Sequence, residues 1–339
     1  MMRPGIEVAI CTYNGAGRMR AVLDALAAQT LPSSQWSVLL VDNASTDDTA
    51  ARALASWRRA DVALRVVREP RAGVKMARLK ALSEASREFV CFCDDDNLLE
   101  PAYLETGVAI MRDRPLVGAL GGMGVASSAL PLPDWFASAA PGYAVGPQAD
   151  AEGEVPVSRA FVYTAGMILR RAAWARLELT GYEPRLTGRQ GSSLSSGEDN
   201  EICLLLSLMG WKIHFSPRLV FRHVIGPGRL DERYCRELYR GFGEATATLN
   251  VYRDFVLGRA TPSGWLRCAL LRLAQSWLIR ARVTARRPFG RMPIGPSTLR
   301  REVDAGLALG YRENYGGRRL IGLYAEVAEW LAAARGEAA

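Results

Sequence analysis

Three consecutive carboxylates, Asp94, Asp95 and Asp96, close the apolar run Phe89-Val-Cys-Phe-Cys93. Like charges a few ångströms apart raise one another's proton affinity, so a triplet of this kind at neutral pH calls for a cation. Hard oxygen ligands suit Mg2+ or Mn2+, ions that keep waters and bind substrate phosphates rather than filling an all-protein cage. Side chains alternate along an extended strand, which puts Asp94 and Asp96 on one side and Asp95 on the other. A solvated acidic turn capping the next helix is the plainer account, but the run before it is too apolar to end at an ordinary surface turn.

A second acidic group, Glu198-Asp199-Asn200-Glu201, stands where a helix begins near Ser196. A carboxylate in a first helical turn is held ionised by the helix dipole and is ready to act as a general base. The spacing also permits a capping box between Ser196 and Asp199, and the two roles are compatible. His214 and His223 complete the set, although a lone His on a strand is more often a structural hydrogen-bonder than a metal ligand.

The elements that must position these groups alternate. Strand-type runs at Glu7–Cys11, Trp36–Val41, Val62–Arg68 and Glu88–Cys93 are separated by helical patterns, the first marked by Met19, Val22, Leu23 and Leu26. The helix after the second run is expected from Ser45, where Ser45-Thr-Asp-Asp48 fits a capping box; the others span Val74–Ala85 and Pro101–Arg112. Such βα repetition predicts right-handed crossovers and a parallel sheet covered on both faces, with ligands outside the carboxyl ends of the strands. Thr12-Tyr13-Asn14, Asp42-Asn43 and Asp94–Asp96 should therefore share one crevice. After Gly122 the alternation breaks: 123–158 reads as a surface excursion or lid, and 181–197, rich in Gly and Ser, as a mobile loop. A helix from about Ser196 and strands at Trp211–Phe215 and Leu219–Val224 follow.

These stretches resemble the family 2 glycosyltransferases of the GT-A fold. The resemblance rests on Val8-Ala-Ile-Cys-Thr12-Tyr13-Asn14, on Val41-Asp42-Asn43-Ala-Ser45-Thr-Asp47, on Phe92-Cys-Asp94-Asp95-Asp96-Asn97 and on Ser196-Gly197-Glu198-Asp199 followed by Gly210-Trp211. It covers about residues 6 to 225, in the family's order. It implies an α/β, Rossmann-like, mostly parallel sheet flanked by helices, and transfer of a sugar from a nucleotide diphosphate sugar, UDP by default, to an acceptor hydroxyl with inversion. By the same resemblance Asp42 binds the base, with Thr12, Tyr13 and Asn14 beside the nucleotide. Asp94 and Asp96 match the DXD pair on ribose and metal, His223 the additional metal ligand of some relatives, Asp199 the catalytic base and Glu198 its partner. Asp95 falls on the nucleotide side and is the carboxylate expected to tolerate change best. Arg78 stands near where relatives carry Ala-Arg-Asn, with Leu79 a departure from that Asn.

The alternatives are weaker. A sugar-nucleotide nucleotidyltransferase would want a fuller Gly-rich basic loop than Thr12-Tyr-Asn-Gly-Ala-Gly-Arg18, and a non-catalytic nucleotide-sugar-binding protein would be expected to lack Asp199 or the Asp94/Asp96 pair.

Over 339 residues the net charge is +8, yet residues 251–300 hold ten Arg and one Asp, leaving about −1 elsewhere. No nucleic-acid-binding motif accompanies these arginines, which argues against that class of partner. The region 226–339 reads as a mainly helical tail on a 1–225 catalytic domain. Its 265–291 stretch is either a packed helix with snorkelling arginines or a helix lying on anionic lipid at the inner face of the plasma membrane. The six cysteines show no paired spacing, and no signal-peptide pattern or uninterrupted run of ~20 apolar residues occurs, so a cytoplasmic protein without disulfides is expected; a homodimer is compatible with all of this.

Overall fold

The first strand, β1 (Arg3–Thr12), buries Ile6, Val8 and Ile10 against one hydrophobic cluster and Ala9 against another. A strand covered on both faces has no polar side to show, which is why the run carries no polar alternation. The structure, a computed structural model, describes residues 3–189, 194, 196–285, 293–313 and 317–335. After β1 come α1 (Met19–Ala27), β2 (Trp36–Asn43), α2 (Thr49–Ser56), β3 (Leu64–Glu69), α3 (Val74–Glu84) and β4 (Arg87–Asp94). Next follow β5 (Asn97–Leu99), α4 (Tyr103–Asp113), β6 (Val117–Ser127), α5 (Phe136–Ala139), β7 (Gly153–Glu154), β8 (Ile168–Arg170) and α6 (Arg171–Leu179). The chain continues through α7 (Glu198–Leu208), β9 (Lys212–Val224), α8 (Glu232–Val256), α9 (Trp265–Ala285), α10 (Pro296–Glu313) and α11 (Gly317–Arg335).

The sheet order is β3-β2-β1-β4-β8-β6-β9-β5, with β7 beside β9. The first four strands pair in parallel as expected. The remainder is mixed: β8 runs antiparallel to β4 and β6, and β5 and β7 run antiparallel to β9. Register aligns Thr12 with Asp42 and Cys11 with Asp94, so three strand tips meet at one edge.

Several local expectations change. Helix α2 starts at Thr49, not Ser45, because Ser45 is used elsewhere: its N–H donates to Asp42 Oδ1 (3.1 Å) and its Oγ accepts from the Asn14 N–H (3.0 Å). The two strands expected at 211–215 and 219–224 are one, β9, carried past Pro217 by a register shift against β6. Residues 123–158 are not a free lid: Phe136, Tyr143 and Val155 are buried and β7 pairs with β9.

The tail is built onto this sheet. Ile202 and Leu205 of α7, Leu249 and Tyr252 of α8 and Leu323 of α11 share one cluster with Val90 and Phe92 of β4. A Cβ on Gly306 of α10 would lie 1.9 Å from the Arg240 carbonyl, so α8 and α10 meet backbone to backbone. Asp254 ties the tail helices together, accepting from Arg272 (2.6 and 2.7 Å) and from Tyr324 Oη (2.5 Å). Among the described residues no helix is long and apolar enough to cross a membrane. All six cysteines are free thiols, and all but Cys11 are buried.

Candidate active site

A cavity of about 920 Å³ opens at the tips of β1, β2 and β4. Thr12, Tyr13, Asn43 and Asp94–Asp96 form one wall, and the first turn of α7 with Phe242, Leu249 and Arg253 of α8 forms the other. Asp42 and Asn14 are not part of this lining. Asp42 receives the Ser45 N–H, and Asn14, at a left-handed φ of 48°, receives the Thr46 N–H (2.8 Å) through Oδ1. They shape the loop that presents Tyr13.

The carboxylate triplet does not alternate as an extended strand would. The strand ends at Asp94 and the chain turns through Asp95 and Asp96, so each acid faces a different cation. Asp94 Oδ1 lies 3.4 Å from Arg78 Nη2. Asp95 is gripped by Arg18 through both Nε (3.0 Å) and Nη2 (2.7 Å), and accepts from Thr12 Oγ1 (2.5 Å). Burial raises the Asp95 proton affinity, and Arg18 and Thr12 work against that. The member expected to tolerate change best is thus itself held by two partners. Asp96 Oδ2 lies 3.3 Å from His223 Nε2 and 2.8 Å from Arg229 Nη1. Burial would raise the Asp96 pKa, but His223, Arg229 and Arg189 override it and hold the group at about 2.

His223 is oriented from behind. Its Nδ1 donates to the Tyr143 carbonyl (2.6 Å), so Nε2 presents its lone pair to Arg229 Nη1 and accepts from it (3.0 Å), with Asp96 alongside. A ring fixed in this tautomer by a backbone carbonyl is how ligating histidines are commonly held. Asp96 and His223 therefore fit a hard divalent cation as a two-residue protein contribution, with the Arg229 guanidinium now supplying the positive charge between them. Asp94 does not join them: it is turned to Arg78, and among the described residues no group of three metal-ligating side chains forms.

Arg78 connects the two walls. It is buried, lies over the Phe92 ring, and donates to Glu198 Oε1 (2.6 Å) as well as facing Asp94. Burial alone would weaken its hold on the proton, but Asp94, Glu198 and Asp199 strengthen it beyond an ordinary arginine. Glu198 is thus committed to an ion pair and Asp199 is the acid left facing the cavity.

Asp199 differs from its sequence-based description. Burial, then the neighbouring Glu198, raise its pKa from 3.8 to about 6, against the lowering effects of Arg78 and of the Asn200 and Thr164 N–H groups. The helix dipole does not keep it at an ordinary carboxylate value, because desolvation at the cavity wall is the larger effect. No capping box forms either: the N-cap is Gly197, at φ 96°, and Ser196 Oγ has no partner among the described residues. A side chain at Gly197 would meet Ala245 at 2.9 Å, so glycine lets α7 approach α8 closely.

Part of the loop expected at 181–197 lies outside the described residues; the part before it is anchored. Glu201 accepts from the Arg185 and Leu186 N–H groups (2.7 Å each) and from Tyr252 Oη (2.7 Å). Residues missed by the sequence reading are Arg18, Tyr143 and the α8 face. Arg18, which closes Thr12-Tyr-Asn-Gly-Ala-Gly-Arg18 just before α1, is legible as a basic side chain near Tyr13, but nothing local marks Tyr143 or Leu249 as cavity-facing.

Residues 7–173 match the family model described as Glycosyl transferase family 2. Glycosyltransferase AglE of Haloferax volcanii is 31% identical over 106 residues, which is 31% of this chain and 35% of that protein. The match thus spans about a third of that relative's length. Among solved structures, S. aureus TarS in complex with UDP-GlcNAc aligns with a TM-score of 0.52 at 17% identity, covering 98% of this chain and 92% of that one. The mannosyltransferase PcManGT from Pyrobaculum calidifontis, in complex with GDP-Man and Mn2+, aligns with a TM-score of 0.51 at 22% identity, covering 99% and 87%. These likenesses establish a GT-A-type fold: a mixed sheet flanked by helices, with further helices at the C-terminus.

Proposed function

From a chain whose residues 7–173 carry the glycosyl transferase family 2 pattern, we propose that the protein transfers a sugar from a nucleotide diphosphate sugar to an acceptor hydroxyl with inversion. One observation carries this reading: Asp199, an acid with a pKa raised to about 6, shares a cavity with the strand tips at Thr12 and Asp94–Asp96. Inversion requires a base that takes the acceptor proton as the hydroxyl attacks, and a base is most effective when its pKa lies near the working pH. Asp199 fills that role, with Glu198 holding Arg78 beside it.

The nucleoside lies against Thr12 and Tyr13, on the loop that Asn14 and Asp42 shape. UDP is the default nucleotide, a choice supported by the UDP-GlcNAc complex of TarS. The diphosphate lies beside Asp94 to Asp96, where Arg18, Arg78 and Arg229 offset its charge. Asp96 and His223 would hold Mn2+ or Mg2+, which when bound neutralises negative charge on the leaving diphosphate. The acceptor, a carbohydrate, a lipid-linked or a small molecule, enters along α8, so the 1–225 segment supplies the chemistry and α8 one wall. Buried free thiols accord with a cytoplasmic setting.

The test is thermal-shift screening of UDP-, GDP- and dTDP-sugars with and without Mn2+, followed by donor turnover. Ligand binding raises apparent stability with occupancy, so one nucleotide class should stand out, more strongly with the cation. No stabilisation by any nucleotide diphosphate sugar would overturn the reading.

A further inference from the structure

Helix α9 is apolar on two sides, and only one of them is covered. Cys268 and Ala269 face the core cluster. On the opposite side Leu266, Leu270, Leu271 and Leu278 are 51%, 52%, 54% and 59% exposed. At 3.6 residues per turn these four fall within an arc of roughly 140°, and Arg267 and Arg282, both exposed, lie within or at the edge of the same arc. Single exposed leucines are ordinary on a protein surface, but four on one helical face form a patch that needs a partner.

Charge indicates which. From Phe255 to Arg300 the sequence holds nine Arg and no Asp or Glu. A second copy of this chain would bring Arg267 and Arg282 against the same arginines of the first, at a cost in repulsion. An anionic lipid surface satisfies both halves of the pattern: the leucines enter the acyl boundary while the arginines meet headgroup phosphates. The helix is too interrupted by charge to span a bilayer, so contact is in the plane of the surface. We infer that the outward face of α9, centred on Leu270 and Leu278 with Arg267 within it and Arg282 at its border, is a docking surface for anionic bilayers. No described residue of α9 is in the cavity lining, so the face is independent of the catalytic reading.

The experiment is flotation of the full chain with phosphatidylcholine vesicles, with and without about one third phosphatidylglycerol. Wild-type protein should float with the anionic vesicles, fail to float with the neutral ones, and be released by high salt. A Leu270→Glu/Leu278→Glu double variant should bind at least tenfold more weakly, with an unchanged circular dichroism spectrum, since both side chains are already in solvent. Arg267→Gln/Arg282→Gln should lose most of the preference for anionic over neutral lipid. Equal binding by the leucine variant, or no wild-type flotation, overturns the proposal. So does a wild-type dimer in sedimentation that the leucine variant converts to monomer, because the face would then belong to a second copy.

Discussion

Replacing Asp199 by Asn should make the protein more stable and far less active. The raised pKa means that the folded state holds the Asp199 proton more tightly than the unfolded chain does. Ionising the group therefore costs folding free energy: none below about pH 4, increasing as pH rises towards about 6, and complete above that. The shift from 3.8 to about 6 corresponds to an upper bound of about 3 kcal/mol. Because Asp199 keeps some solvent contact through the cavity, about 1–3 kcal/mol is the expected gain for the neutral isostere. Asn retains an oxygen to accept the Asn200 N–H now bonded to Oδ1 at 2.8 Å. The assay is thermal unfolding of both proteins at pH 4.5 and 7.5: Asp199→Asn should melt roughly 2–6 °C higher at the upper pH and by about a third of that at the lower. Its turnover should fall by about 10²–10⁴, and wild-type kcat/KM should lose activity as pH falls through about 6. Equal gains at both pH values would show that ionisation is not the cause, and unimpaired turnover would remove Asp199 from the base role.

Three further perturbations address the other wall and its link to α7. Asp96→Asn should weaken nucleotide binding only when Mn2+ is present, read by calorimetry with and without the ion; an equal loss in both conditions would place Asp96 on the nucleotide instead. Arg229→Gln removes the guanidinium held by Asp96 and His223 and should tighten Mn2+ binding to the nucleotide-free protein by about tenfold, about 1.4 kcal/mol; this is read by the Mn2+ resonance signal, and unchanged or weaker binding refutes it. Arg78→Met leaves Glu198 and Asp94 facing each other without their shared cation and should destabilise the fold by about 3–5 kcal/mol in urea unfolding. A loss of less than about 1 kcal/mol would mean that the carboxylates find other partners.

Much of this was legible in the residues. The parallel half of the sheet was, because strands buried on both faces must be apolar throughout and Phe89–Cys93 could not be anything else. The convergence of Thr12, Asp42 and Asp94 followed from topology alone. What failed were inferences that assumed local geometry persists past the end of an element. The triplet turns after Asp94, so alternation cannot assign faces to Asp95 and Asp96. Ser45 and Ser196 have capping spacing, but Ser45 serves Asn14 and Asp42 in the loop between β2 and α2, and Gly197 takes the cap where α7 crowds α8. The α8 wall was unreadable because Leu249 and Arg253 become cavity residues only through long-range packing.

Arg78 has a consequence that reaches beyond stability. One guanidinium is shared by Asp94, on the proposed donor side, and Glu198, beside Asp199, on the proposed acceptor side. Anything that draws Asp94 away leaves more of that charge to act on Asp199, and so lowers the proton affinity of the base. By thermodynamic reciprocity, deprotonating Asp199 must alter donor affinity by the same factor. The two substrates would then be coupled through a single side chain, and the order in which they bind would depend on pH without any movement of the backbone.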